Sequence, residues 1–357
     1  MVNAPSERKL TRTHANVHGR GGPQQPQLTV NGLKKYFPIR GGLFGRTVGK
    51  VQALDDVSFS VEKGKVLGVV GESGCGKSTL ARLLMLLVKP DEGEMIFDGE
   101  LVSSSGGLSV RELRRHMQMV FQDSYSSLNP RMSIAESIAF APRMHGVGAA
   151  EAGTVARDLL QQVGLSPLSF SHRYPHELSG GQRQRVNIAR ALAVDPQLVI
   201  LDEAVSALDK SVEAQVLNLL VSLQEKRNLT YIFISHDLDV VRYISDRVAV
   251  MYLGQIVEVG TADDIYERAR HPYTRALIAS APSLDPRNRT RDVPLFGDPP
   301  NPINPPTGCR FRTRCSFAED VCSAVMPKVA AAGYEKTHGV RCHMADSGSG
   351  HSRHSMS

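Results

Sequence analysis

The nine residues Gly71-Glu72-Ser73-Gly74-Cys75-Gly76-Lys77-Ser78-Thr79 constrain this chain more than any other feature. They fit the spacing G-x-x-x-x-G-K-[ST]. The run Lys65 to Val70 (KVLGVV) precedes them and reads as a buried strand, and an apolar helix pattern follows to about Val88. Strand, glycine-rich turn and helix in that order make a phosphate cradle. The glycines let backbone N–H groups turn inward without side-chain obstruction, and the helix start adds partial positive charge. Lys77 is placed to reach the β- and γ-phosphates of a nucleoside triphosphate, and Ser78 to ligate Mg²⁺.

The run Leu198-Val199-Ile200-Leu201-Asp202-Glu203 supplies a second half. An apolar strand ends there in two carboxylates. Asp202 is placed to hold Mg²⁺ or its bound water, and Glu203 to polarise an attacking water. These two motifs alone are shared by kinases, helicases and GTPases. Further strands are predicted at Met117 to Phe121 and Tyr231 to Ile234, short apolar runs of the kind found in parallel sheets. Ser211 to Lys226 has helical spacing, with Val212, Val216, Leu219, Leu220 and Leu223 on one face. The fold expected is α/β, a mainly parallel sheet with helices on both sides. The stretch from about 124 to 195 lacks strand signals and reads as a helical insertion.

The ends differ from the body. Residues 1–27 and 345–357 lack periodicity and read as disordered tails. Proline accumulates over 285–308 (DPPNPINPP), which marks a linker between residues 28–284 and a cysteine-bearing segment at 309–344. The net charge of +6 sits mostly in residues 1–27 and 309–343, while the body is balanced. A folded body without a basic stripe argues against a nucleic-acid partner. The N-terminus lacks the apolar core of a signal peptide. No apolar run approaches the ~20 residues of a membrane helix, and the longest, near Leu80 to Val88, is interrupted by Arg82. The expectation is a chain that stays in the cytosol, with any membrane contact made through a partner.

Leu178-Ser179-Gly180-Gly181-Gln182 narrows the class, because it is similar to the LSGGQ signature of ABC ATPases. A serine hydroxyl and two glycine amides before an amphipathic helix form a second anion-binding helix start. The resemblance implies a P-loop NTPase fold of ABC type with a helical subdomain, working as a dimer. Lys77 of one subunit and Ser179, Gly180, Gly181 and Gln182 of its partner would then enclose the same ATP. In the family's order, Gln122 in VFQD resembles the glutamine that contacts Mg²⁺, Ser206 to Asp209 resembles the D-loop, and His236 in ISHD resembles the switch histidine facing the γ-phosphate. Tyr36 in LKKYF resembles the aromatic that stacks on adenine, and residues 37–50 read as an insertion after it. Ala204 stands where the family usually has proline. The segments SYSSLNPRM (124–132), RYPHELSGGQRQR (173–185), HPYTRAL (271–277) and NPINPPTGCRFRTRC (301–315) resemble the ATPase subunits of dipeptide/oligopeptide importers. That resemblance implies a second ATPase subunit, a paralogue or an identical copy, with two membrane permeases and an extracytoplasmic solute-binding protein. Nickel, glutathione and sugars remain alternative solutes. A soluble ABC clamp for DNA repair or translation and an ABC exporter are the rival classes.

Cys309, Cys315, Cys322 and Cys342 have the spacing C-x5-C-x6-C-x19-C. Tight C-x2-C pairs, common in structural zinc sites, are missing. Four thiolates so spaced suit a [4Fe–4S] cluster, and the importer resemblance points the same way. Arg310, Arg312, Arg314 and Arg341 would offset the thiolate charge. Zinc, with His338 or His343 as a ligand, and unligated thiols are the alternatives. The Cys75 thiol reads as incidental to the phosphate loop.

Overall fold

The computed structural model describes residues 22, 25–41, 46–103, 106–280, 297–329 and 338–353. Most of the expected N-terminal tail, the first part of the linker and the last four residues lie outside the described residues. The strands are β1 (Leu28–Gly41), β2 (Arg46–Val61), β3 (Val66–Val70), β4 (Glu92–Phe97), β5 (Glu100–Leu101), β6 (Met117–Val120), β7 (Leu198–Asp202), β8 (Thr230–Ile234), β9 (Arg247–Tyr252), β10 (Gln255–Thr261) and β11 (Gly339–Val340). They form two sheets. The larger has the order β11-β10-β9-β3-β8-β7-β6 and is parallel from β9 to β6, while β9, β10 and β11 pair antiparallel. The smaller, β2-β1-β4-β5, is antiparallel.

The short apolar runs in the sequence become the central strands because both faces of the large sheet are covered. Successive side chains of a strand point to opposite faces, so a doubly covered strand is apolar throughout. In β7, Val199 and Leu201 join one core and Leu198 and Ile200 the other. The first core lies under helices Ile134–Met144, Ala149–Gln162, Gly180–Leu192 and Lys210–Arg227. The second fills the space between the two sheets around helix Lys77–Leu84. Each fully buried Leu, Ile or Val stabilises the fold by about 1.5–3 kcal/mol relative to exposure.

The helix ends follow local chemistry. Ser133 starts helix Ile134–Met144 with a reciprocal pair, its hydroxyl accepting from the Glu136 N–H while the Glu136 carboxylate accepts from the Ser133 N–H. Asp209 caps helix Lys210–Arg227 by accepting from the Val212 N–H at 2.9 Å. Asn228 ends that helix with φ 51°, a left-handed cap. Of its expected apolar face, Val216, Leu220 and Leu223 are buried together with Leu217.

Two features depart from the sequence reading. The antiparallel sheet was not anticipated, and within residues 37–50, read as an insertion, 37–41 and 46–50 prolong the paired strands β1 and β2. Residues 346–353, assigned to a tail, lie against the cysteine segment: His351 is buried beside the Phe317 carbonyl at 2.9 Å, and the Ser352 N–H donates to Glu319. Among the described residues no helix is long and apolar enough to cross a membrane.

Candidate functional site

The glycine-rich loop leaves β3 at Gly71 and enters helix Lys77–Leu84 through Gly76. Gly71 has φ 152° and Gly76 φ 110°, conformations that disfavour side chains. A Cβ at Gly71 would lie 2.2 Å from the Met251 carbonyl oxygen, and one at Gly76 would lie 2.5 Å from that of Ala53. The Lys77 ammonium curls back into this loop, donating to the carbonyls of Gly71 (2.7 Å) and Glu72 (3.1 Å). The loop is thus closed around a cation that an incoming phosphate can claim.

The carboxylate pair arrives from β7, and β8, which lies between β3 and β7, delivers His236 beyond its end. The Ser78 hydroxyl donates to Asp202 Oδ1 at 3.2 Å. Burial raises the Asp202 carboxyl above its usual range, with the Glu203 charge adding to that and the Ser78 hydrogen bond opposing it. Glu203 has φ 47°, a strained backbone for a non-glycine residue. Its Oε2 accepts from Gln122 Nε2 at 2.8 Å, and its Oε1 lies 3.4 Å from His236 Nδ1. Three residues from three different strand ends therefore meet at one carboxylate. A cleft of about 600 Å³ runs past them. Ser73, Gly74, Gly76, Lys77, Ser78 and Thr79 line its phosphate end, and Gln122, Glu203 and His236 its far wall. Phe37, Val51, Gln52 and Pro302 close the other end. Ser78 and Asp202 set two side-chain oxygens next to each other, a donor set suited to Mg²⁺.

Ser179, Gly180, Gly181 and Gln182 do not border this cleft. They form the start of helix Gly180–Leu192, with the Ser179 hydroxyl accepting from the Gln182 N–H at 3.3 Å. Ser179 and Gly180 are exposed.

Two family models match. ABC transporter covers residues 54–206, and the oligopeptide/dipeptide transporter C-terminal region covers 257–322. The oligopeptide transport ATP-binding protein AppF of Bacillus subtilis is 49% identical over 325 residues, spanning 90% of this chain and 98% of that one. The dipeptide transport ATP-binding protein DppF of Haemophilus influenzae is 48% identical over 304 residues, 85% and 92% of the two chains. The chain belongs to the oligopeptide/dipeptide ABC transporter ATP-binding family. Among solved structures, cbiO1 of Clostridium perfringens, part of the ABC transporter complex cbiONQ, matches with a TM-score of 0.59 at 27% identity, covering 69% of this chain and 92% of that one. The ATP-binding cassette MJ0796, solved as a dimer in a post-hydrolysis state with ADP and Pi, matches with a TM-score of 0.58 at 26% identity over 66% and 98% of the two chains. The fold of this ABC ATPase is accordingly the α/β fold of its family.

Two details of the ABC ATPase differ from what its sequence suggested. Tyr36 does not line the cleft, and its hydroxyl donates to Asp55 Oδ1 at 2.6 Å. Phe37 lines it instead. The β1–β2 register shifts between Leu33 and Lys35 and again between Lys35 and Tyr36, so simple alternation fails there. The Cys75 thiol, read as incidental, packs in the core between the sheets, and burial pushes its pKa up.

The second detail concerns the cysteines. Cys309, Cys315, Cys322 and Cys342 are free thiols around one small cavity of about 10 Å³, shared with His271 and His343. Burial pushes the Cys309 thiol up to about 12 and the Cys342 thiol up to about 11. Among the described residues, no set of three His, Cys, Asp or Glu stands where it could hold a metal ion. The arginines expected to balance thiolate charge point elsewhere: Arg310 to Asp55, Arg314 to Glu72, Arg341 to Asp56 and Arg312 to the Thr307 carbonyl. Among the described residues nothing supports the expected [4Fe–4S] cluster.

Proposed function

We infer that this chain is the ATP-binding and hydrolysing subunit that powers import of peptides through an ABC transporter. The observation that carries this reading is the split of the phosphate-binding parts. Lys77, Ser78, Gln122, Glu203 and His236 share one cleft, while the exposed Ser179 cradle lies outside it. A chain with a complete nucleotide cleft and a spare anion-binding helix start is suited to a dimer in which each cradle serves the neighbour's ATP.

In that arrangement Lys77 leaves the Gly71 and Glu72 carbonyls for the β- and γ-phosphates, and the loop amides hold the phosphate oxygens. Ser78, Gln122 and Asp202 would hold Mg²⁺, which would offset charge on the phosphates. Glu203 accepts a proton from the attacking water. His236 and Gln122 orient that carboxylate through the contacts already in place. Phe37 offers its ring to the base. The second ATPase subunit is a paralogue or a second copy. The two permeases dock on the helical part after Gln122, where Phe140, Met144, Leu168 and Tyr174 are exposed apolar side chains. The subunit thus sits at the cytoplasmic face, and an extracytoplasmic binding protein delivers the peptide.

The test is purification of the chain with its co-purifying membrane subunits, reconstitution in liposomes, and measurement of labelled-peptide uptake with Mg-ATP. Peptide uptake that stops in Lys77→Ala is the expected result. Uptake confined to nickel or glutathione, or co-purification with nucleic acid and no permease, would overturn it.

A further inference from the structure

The C-terminal segment does more than follow the ATPase core. Residues 299–302 run beside Glu72, Ser73 and Gly74 of the phosphate loop. The Pro302 carbonyl accepts from the Gln52 N–H at 3.0 Å, and Pro302 itself lines the cleft beside Phe37. Two arginines then fasten the segment. Arg310 reaches the Leu253 carbonyl, Gln52 Oε1 (2.6 Å) and the Asp55 carboxylate. Asp55 also holds the hydroxyl of Tyr36, the residue before the cleft-lining Phe37.

Arg314 acts at the opposite end. Its two terminal nitrogens donate to both carboxylate oxygens of Glu72, at 2.7 and 3.0 Å. Such a bidentate pair fixes orientation as well as charge. The Arg314 side chain is 5% exposed and lies over the Tyr252 ring. The Glu72 N–H donates to the Tyr273 hydroxyl at 3.0 Å. Tyr252, Tyr273 and Phe311 pack their rings 4.6 to 5.4 Å apart beneath this contact. The second residue of the phosphate loop is therefore gripped by both its side chain and its backbone, from outside the motif.

We propose that residues 299–315 clamp the nucleotide site, with Arg314 as a positioning residue that holds the Glu72 carboxylate away from the bound triphosphate. The reason is electrostatic. Glu72 is an anion inside a loop built to bind anions. Unpaired, its side chain is free to turn toward Lys77 and the phosphates, competing for the ammonium and repelling the ligand. Paired with a shielded guanidinium, it leaves the Lys77 charge to the nucleotide. The inference rests on assigning the cleft to ATP.

The experiment uses the full chain and titrates a fluorescent ATP analogue with Mg²⁺, alongside thermal unfolding. Arg314→Ala should raise Kd and the KM for ATP on the order of tenfold, with kcat at saturating ATP changed far less. Arg314→Lys should recover part of the affinity. Adding Glu72→Gln to Arg314→Ala should restore most of it, because the competing anion is gone. That rescue separates positioning from packing, since neutralising Glu72 restores none of the packing lost with Arg314. Arg314→Ala with Kd within about twofold of wild type, or a double variant that regains nothing, would overturn the clamp. Wild-type protein that binds no nucleotide would sink the ATP assignment and the clamp together. Binding by wild type and Arg314→Ala alike would sink the clamp alone.

Discussion

Replacing Glu203 by glutamine isolates one chemical property. The side chain keeps its shape, and its remaining carbonyl oxygen can still accept from Gln122 Nε2, which now donates at 2.8 Å. The strained φ of 47° belongs to the backbone turn and does not depend on the carboxylate. What disappears is the negative charge facing His236 and the lone pair able to take a proton from water. General-base catalysis contributes roughly 10²- to 10⁴-fold, so hydrolysis should slow by that factor, a barrier increase of about 3–5 kcal/mol. Nucleotide binding should survive, because Lys77 and the loop amides are untouched. The assay is phosphate release at saturating Mg-ATP, with analogue affinity and sedimentation measured on the same sample. The expected outcome is slow hydrolysis, retained affinity and accumulation of an ATP-bound dimer. Hydrolysis within about threefold of wild type would refute the assignment of Glu203 as the base.

Other perturbations separate neighbouring roles. Phe37→Ala should weaken ATP binding roughly 5- to 150-fold if its ring stacks on the base; Tyr36→Phe should lower stability by about 1.5–3 kcal/mol and leave affinity nearly unchanged, and analogue titration compares the two. Ala204→Pro stiffens a buried loop beside Glu203 without adding a chemical group, so a steady-state ATPase rate that climbs about tenfold or more would contradict this reading. His271 is fully buried, and burial lowers its pKa to about 4. Its folded value lies below the unfolded one of about 6.5, so the unfolded chain gains the proton first: stability is full above about pH 6.5 and falls, by up to about 3 kcal/mol, as pH drops toward 4. His271→Asn keeps a capping acceptor for the Tyr273 N–H and should flatten that limb of the melting-temperature profile.

The phosphate loop, the Asp202–Glu203 pair, Gln122 and His236 were legible because each sits in a short contiguous run. Local strand–turn–helix geometry does the rest, and four strand ends bring those runs together. The central strands were legible for the same reason, since double coverage writes itself as unbroken apolar runs. Phe37 was not legible. Choosing between two adjacent aromatics requires knowing the β1–β2 register, and shifts in pairing near Lys35 upset the alternation from which a register is read. The arginines misled for a different reason. Arg310 and Arg314 flank cysteines in sequence, yet their carboxylate partners lie 255 and 242 residues away. No periodicity encodes such a distance. The antiparallel sheet escaped because β1 and β2 alternate weakly and are half exposed near their tips.

Where the polypeptide can be trimmed follows from Pro302, Arg310 and Arg314. Motifs alone suggest cutting after residue 284 to obtain a minimal hydrolase. Such a cut would strip one lining residue from the nucleotide crevice and leave Asp55 and Glu72 without their guanidinium partners. A shortened version prepared for crystallisation or drug screening would then present a looser, more acidic mouth than the natural one, and compounds selected against it would be matched to the wrong shape.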